Sequence, residues 1–173
     1  MKKILSLFLL LYSVIGNAQF RHSKGIHFME TNLGLLANGF HSNLGYGSFL
    51  NPKAFWKVNL GYAGTNNTGI KSSSFYTMGQ IHYSPFSIHS VLYTSLFVGL
   101  PLSYDRIDRT GILANGSKNI FWYGISLGAE LEGYLNDNCS ITLQGAYSYS
   151  PIHPAYRRKL MGSIGFRYHL LKN

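Results

Sequence analysis

Glu130 and Glu132 lie two positions apart in this 173-residue chain, and that spacing could support chemistry. On a β-strand, residues i and i+2 project from the same face, so both carboxylates would share one side. Paired carboxylates can serve as general acid and base. Inside a narrow barrel they instead need cationic partners, because an unpaired buried charge is costly. We therefore predict a structural ion-pair network in the lumen, formed by Glu30, Lys57, Glu130, Glu132 and Arg167.

Three His-Ser dipeptides raise a second chemistry: His22-Ser23, His41-Ser42 and His89-Ser90. Barrel hydrolases that modify lipid A need a Ser, a His and an acid that converge on the lipid-facing side. Adjacent strand residues point to opposite faces, so no dipeptide forms a dyad by itself. No metal-ligand spacing, phosphate-binding loop or cofactor fingerprint occurs. We expect no enzymatic activity, no cofactor and no catalytic or metal-binding residue. A lipid A-modifying enzyme is the weaker alternative.

Cations near two predicted outer connections form a candidate outer-rim basic surface, made of Arg106, Arg109, Lys118, Arg157, Arg158 and Lys159. The segment Tyr104–Arg109 alternates Asp and Arg, so it predicts either weak local ion pairs or a recognition surface. For the three consecutive cations Arg157, Arg158 and Lys159, contact with the phosphates of lipopolysaccharide is a simpler explanation than a protein partner. Outer-membrane lipids and lipopolysaccharide are therefore the expected partners.

The segment Phe121–Leu135 shows what kind of element positions the two glutamates. Its odd positions are almost all apolar or aromatic, and both charges fall on even positions. A period of two indicates a β-strand with one apolar face. Soluble strands usually have about 5–6 residues, whereas a tilted strand that spans a membrane needs about 9–11. This segment is long enough to cross a bilayer, with its glutamates toward a lumen.

Eight alternating segments occur, bounded by Gly, Pro, Asn or Ser clusters. They are Gly25–Leu36, Asn43–Leu50, Ala54–Gly64, Ser72–Tyr83, Val91–Leu102, Asn119–Leu135, Cys139–Tyr149 and Lys159–Leu170. The registers of the first, second and fourth segments are the least defined. The turns at 51–53 and 136–138 are tight, and the connection at 84–90 is moderate. Longer connections are predicted at 37–42, 65–71, 103–118 and 150–158.

These segments predict an all-β fold: an eight-stranded antiparallel transmembrane (outer-membrane) β-barrel with short periplasmic turns and longer outer loops. Closure is required because an open sheet edge in lipid would leave backbone groups unsatisfied. The 13 Tyr and 11 Phe suit the interfacial girdles of such barrels. The alternative is a soluble β-sandwich or lipocalin-like barrel, which would place its apolar face inside.

The N-terminus predicts export. Lys2 and Lys3 precede the short apolar stretch Ile4–Ile15, and small residues follow at Gly16–Ala18. A transmembrane helix needs about 20 residues, and this stretch is shorter. We therefore expect a cleavable signal peptide at 1–18, a barrel domain at 19–173 and location in the bacterial outer membrane. A net charge of +9 would suggest nucleic acid in a cytosolic protein, but export makes direct nucleic-acid binding unexpected.

The C-terminal segment matches the signal that outer-membrane assembly machinery recognises on a last strand. Ser163, Gly165, Tyr168 and Leu170 follow the pattern polar-x-Gly-x-x-aromatic-x-hydrophobic. Many barrels end in Phe at this point, whereas here three residues, 171–173, follow.

The chain resembles the conjugative transposon protein TraO family of Bacteroidetes. The resemblance lies in Ile112–Gly116, Phe121–Gly124, Gly128–Asp137 and Gly162–Tyr168, with Lys24-Gly25 opening the mature domain. It is specific over about residues 104–137, and Leu102–Asp105 departs from the Gly-Tyr-Glu type of sequence expected there. The resemblance implies an outer-membrane component of a conjugative DNA-transfer apparatus, related to type IV secretion, with other apparatus proteins as partners. It implies no catalytic residues. The alternative is a general small barrel for adhesion, envelope stability or minor permeability.

Overall fold

A computed structural model describes residues 22–67, 70–88, 91–109, 116–151 and 158–170. The predicted signal peptide therefore lies outside the described residues. The described part consists of antiparallel strands, and none of its segments is a helix long and apolar enough to cross a membrane. The strands are β1 His27–Leu36, β2 Gly39–Asn51, β3 Ala54–Asn67, β4 Ile70–Ile88, β5 Leu92–Arg109, β6 Gly116–Tyr123, β7 Ile125–Tyr134, β8 Cys139–Tyr149 and β9 Arg158–Leu170.

The sheet closes on itself. Neighbours follow the order β4-β3-β2-β1-β9-β8-β7-β5, and β4 also pairs with β5. β6 and β7 pair with successive parts of β5 and meet at Gly124, whose N–H donates to the carbonyl of Pro101 at 3.1 Å. They are two segments of one barrel strand, so the barrel has eight strands, as the sequence predicts. We call the end that holds the turn at 136–138 the base, and the opposite end the rim.

Strands near the rim run further than the sequence predicts. The connection expected at 103–118 is largely strand, since β5 continues to Arg109 and β6 begins at Gly116. β2 begins at Gly39, inside the connection expected at 37–42. The connection expected at 65–71 also contains strand residues. The physical reason at the rim is that backbone pairing continues where the apolar face ends, so apolar periodicity marks only the apolar part of each strand. At the base, β4 continues to Ile88, into the connection expected at 84–90.

The barrel has an apolar outside and a polar inside. On β7, Leu127 and Leu131 point outward, and Ser126, Glu130 and Glu132 point inward. The same alternation holds on β8 and β9. On β4, whose register the sequence leaves open, Tyr76, Met78, Gln80 and His82 lie on the inner side. This distribution excludes the soluble sandwich or lipocalin-like alternative, which needs an apolar interior.

Aromatic side chains mark the upper edge of the apolar outer face. Tyr62 lies opposite Phe75, Phe75 opposite Tyr104 and Tyr104 opposite Phe121. All four point outward, and the rings of Tyr62 and Phe75 are 5.2 Å apart. We call these four residues the outer aromatic row. Aromatic girdles of this kind flank the apolar band of membrane barrels.

Candidate functional site

The structure brings the five predicted lumenal residues into one cluster. Glu30 comes from β1, Lys57 from β3, Glu130 and Glu132 from β7, and Arg167 from β9. The Nζ of Lys57 lies 2.8 Å from Glu30 Oε1 and 2.8 Å from Glu130 Oε2. All five side chains are almost completely buried.

Arg167 makes the larger share of the contacts in this cluster. Its Nε donates to Glu30 at 2.6 Å, its Nη2 to Glu130 at 2.6 Å and its Nη1 to Glu132 at 2.8 Å. Its guanidinium lies over the ring of Phe28, with its carbon 4.3 Å from the ring centroid. The same carbon lies 5.1 Å from the centroid of the Phe55 ring. Three carboxylates and two aromatic rings therefore surround a group that stays protonated in proteins.

Glu132 receives further hydrogen bonds from outside the five. Ser140 Oγ donates to its Oε1 at 2.6 Å. The imidazole nitrogens Nε2 of His22 and of His169 lie 2.9 Å and 3.2 Å from its carboxylate oxygens. The spacing of residues in the sequence does not identify these three partners. Ser140 and His169 do occupy alternate positions of β8 and β9 that face inward, which is the one signal that the sequence offers for them. The five charged residues comprise three carboxylates and only two cations. The two histidines supply hydrogen-bond donors for the additional carboxylate.

Ser140, His169 and Glu132 do not form a hydrolytic triad. Ser140 Oγ lies 3.1 Å from His169 Nε2, and the same nitrogen contacts Glu132. A triad needs the nucleophile on one imidazole nitrogen and the acid on the other. Ser140 is also buried in the lumen rather than at the lipid-facing surface. These contacts fix side chains in place and leave no reacting position.

The dipeptide His41-Ser42 also lacks this arrangement. His41 is buried, whereas Ser42 is half-exposed on the opposite face of β2. His89 and Ser90 lie outside the described residues. Among described residues, no group of three or more His, Cys, Asp or Glu side chains could hold a metal ion.

Aromatic rings fill the base of the lumen below the charged cluster. Phe28, Phe49 and Phe55 pack with ring centroids 5.1–5.6 Å apart, together with Ile26. His22, which precedes β1, stacks on Tyr93 with ring centroids 3.8 Å apart. We call Phe28, Phe49, Phe55 and His22 the base plug. Together with the charged cluster, it occupies the narrow interior of an eight-stranded barrel.

Lys159 is not part of the outer rim, contrary to the prediction. It has the same parity on β9 as Arg167, so its side chain points into the lumen. Its Nζ lies 3.5 Å from Asp105 Oδ2 and 4.5 Å from the centroid of the Trp122 ring. Asp105 is fully buried and accepts a 2.6 Å hydrogen bond from Ser103. A second ion pair therefore lies in the upper lumen.

The remaining rim cations occupy separate strands. Arg106 is exposed on the outer face of β5, where its Nε lies 3.3 Å from Asp108 Oδ1. Lys118 on β6 and Arg158 on β9 are exposed. Arg157 and the side chain of Arg109 lie outside the described residues. Tyr104–Arg109 is therefore a strand with one exposed ion pair and one buried carboxylate, rather than a loop.

No protein-family model and no curated protein matches the chain. Solved structures match well. The N-terminal barrel domain of Pseudomonas aeruginosa OprF is 14% identical, with a TM-score of 0.61, over 85% of this chain and 98% of that one. A major outer-membrane protein of Thermus thermophilus is 14% identical, with a TM-score of 0.63, over 84% and 99% of the two chains.

A third match is Ail, the attachment invasion locus protein of Yersinia pestis. It is 14% identical, with a TM-score of 0.56, over 87% of this chain and all of that one. Ail has also been solved in complex with the heparin analogue sucrose octasulfate. The chain has the fold of small outer-membrane β-barrels. At these identities the likeness establishes the fold and assigns no activity.

Proposed function

We propose that this protein resides in the bacterial outer membrane as a non-enzymatic structural or interaction barrel. The observation that carries this proposal is the reversal of polarity across the wall. Exposed leucines, phenylalanines and tyrosines cover the outside, and charged groups are buried and paired inside. Exposure of that apolar outer surface to water would be unfavourable, whereas the hydrocarbon core of a bilayer accommodates it.

Within this class, we propose a role in a conjugative DNA-transfer apparatus. Its support is the sequence resemblance to the TraO family over about residues 104–137, part of which forms β7. The partners would be other proteins of the apparatus. DNA would not pass through the barrel, because its lumen is filled at the base.

Two measurements test these statements separately. Outer-membrane fractionation with heat-modifiable gel migration should show a folded membrane barrel, and recovery in the soluble fraction would overturn the location. Deletion of the gene should then lower conjugative transfer frequency, with restoration by the complementing gene as the control. Unchanged transfer would overturn the role in conjugation and leave the membrane barrel intact.

A second candidate function is adhesion through anionic polysaccharide. It is favoured by the likeness to Ail and by the exposed cations Arg106, Lys118 and Arg158. Purified folded protein should then bind immobilised heparin in a salt-dependent way. The triple variant Arg106→Gln, Lys118→Gln, Arg158→Gln should elute at lower salt than wild type. Equal elution would exclude this surface.

A further inference from the structure

The outer wall carries an apolar trough just below the outer aromatic row. Its volume is about 740 Å³. One side is the outer aromatic row, and the other is the next row toward the base, in which Leu44 lies opposite Leu60 and Thr77 lies opposite Leu102. The floor is the backbone between these rows, at Asn43, Gly61, Tyr76 and Ser103. The trough therefore crosses several strands, about 4.8 Å apart.

A polar pocket of about 320 Å³ adjoins the trough on its rim side. Tyr62 lines both spaces, so they adjoin at its side chain. Pocket residues that can bind a polar group are Asn38, Asn66, Lys71, Ser73 and Asp108. Lys71 and Asn66 are exposed and lie opposite each other on β4 and β3.

The charge around this pocket favours an anion. Lys71 lies opposite Asp108, and Arg106 forms an ion pair with the same aspartate at 3.3 Å. Two cations therefore accompany one carboxylate. The Lys71 ammonium can bind a phosphate as a point charge, and the amides of Asn38 and Asn66 can bind sugar hydroxyls.

We propose that the trough and pocket together bind one phosphorylated glycolipid of the outer leaflet, of the lipid A type. The phosphate binds at Lys71, the sugar hydroxyls lie against Asn38 and Asn66, and an acyl chain lies in the trough along Leu44 and Leu60. The polar pocket is on the rim side and the apolar trough is on the membrane side, which matches the orientation of such a lipid. This inference rests on the proposed outer-membrane location.

Native mass spectrometry of the full-length folded protein in detergent tests the site. The probes are bis-phosphorylated lipid A, dephosphorylated lipid A and phosphatidylglycerol. Wild type should retain one lipid A and bind it at least about tenfold more tightly than phosphatidylglycerol. Lys71→Glu should weaken lipid A binding at least about tenfold, and this loss should disappear with the dephosphorylated lipid. Thr77→Trp, which fills the trough, should weaken binding of both lipid A forms.

Matched controls lie elsewhere on the wall. Lys53→Glu removes an exposed cation in the turn between β2 and β3 at the base, and Leu143→Trp enlarges an exposed outer side chain of β8; neither residue lines the trough or the pocket. Both should retain lipid A as wild type does. Equal effects of control and test variants would overturn the site, and equal retention of phosphatidylglycerol would overturn its glycolipid selectivity.

Heat-modifiable migration of each variant shows that it has folded. If wild type fractionates with the outer membrane but fails these binding measurements, only this inference fails. Recovery of wild type as a soluble protein would overturn both this inference and the proposed location.

Discussion

Arg167 joins carboxylates that come from separate walls of the barrel. It contacts Glu30 on β1 and both Glu130 and Glu132 on β7, and all of these groups are buried. Replacing a buried ion cluster with apolar groups can be neutral, but removing one partner leaves uncompensated charge. The stability of the folded barrel therefore depends less on how many ion pairs the cluster contains than on whether every buried charge in it keeps a partner.

Arg167→Met should lower the free energy of unfolding by about 3–5 kcal/mol, because three carboxylates then lose a shared partner. Urea unfolding in detergent micelles, followed by tryptophan fluorescence, measures this change. Lys57→Met should cost less, since Arg167 still contacts both carboxylates that Lys57 binds. Arg158→Met is the exposed control and should stay within about 0.5 kcal/mol of wild type. A small effect of Arg167→Met would show that the carboxylates share protons or reach water instead.

At the scale of elements, Gly124 divides the sixth barrel strand into β6 and β7. A Cβ built at Gly124 would lie 2.3 Å from the carbonyl oxygen of Tyr149, a backbone atom of β8. No flexible side chain can move aside to relieve that contact. The glycine therefore permits the close approach of β7 and β8 at the point where their pairing ends.

Gly124→Ala should lower the free energy of unfolding by about 1–3 kcal/mol, because the added methyl group forces backbone displacement. Gly145→Ala is the matched control, since a Cβ at that exposed position on β8 meets nothing within 4 Å. Thermal unfolding monitored by circular dichroism compares the two. If both variants melt alike, the approach of the strands does not depend on Gly124.

The sequence predicts strands well where one face is apolar and poorly elsewhere. Glu130, Glu132 and Arg167 can be placed in the lumen from the sequence because they lie on the polar face of clearly alternating strands. The extension of β5 through Asp105 escaped prediction because polar and charged residues occupy both faces there. The sequence places Lys159 at the rim for the same reason, since apolar alternation on β9 becomes clear only nearer the base. The contacts of Glu132 with His22 need the folded chain, because 110 positions separate them.

For the whole molecule, the base plug predicts that the barrel does not conduct. Rings of Phe28, Phe49 and Phe55 lie beneath a buried charged cluster, and an eight-stranded barrel has little interior space beyond its side chains. Purified protein in planar lipid bilayers should therefore show no steady current, with a large porin as the positive control. Stable conductance steps would contradict this prediction and favour the alternative of minor permeability.

Closure of the barrel joins β1 to β9, and Glu30 lies directly opposite Arg167 in that pairing although 137 positions separate them. A slip of one residue would turn one strand's charge outward, where an arginine near the middle of a bilayer costs about 2–4 kcal/mol. A slip of two would keep both charges inside but separate them. During assembly, this pair therefore disfavours the wrong registers between β1 and β9. Only the observed register of the last strand against the first places the two charges opposite each other inside the barrel.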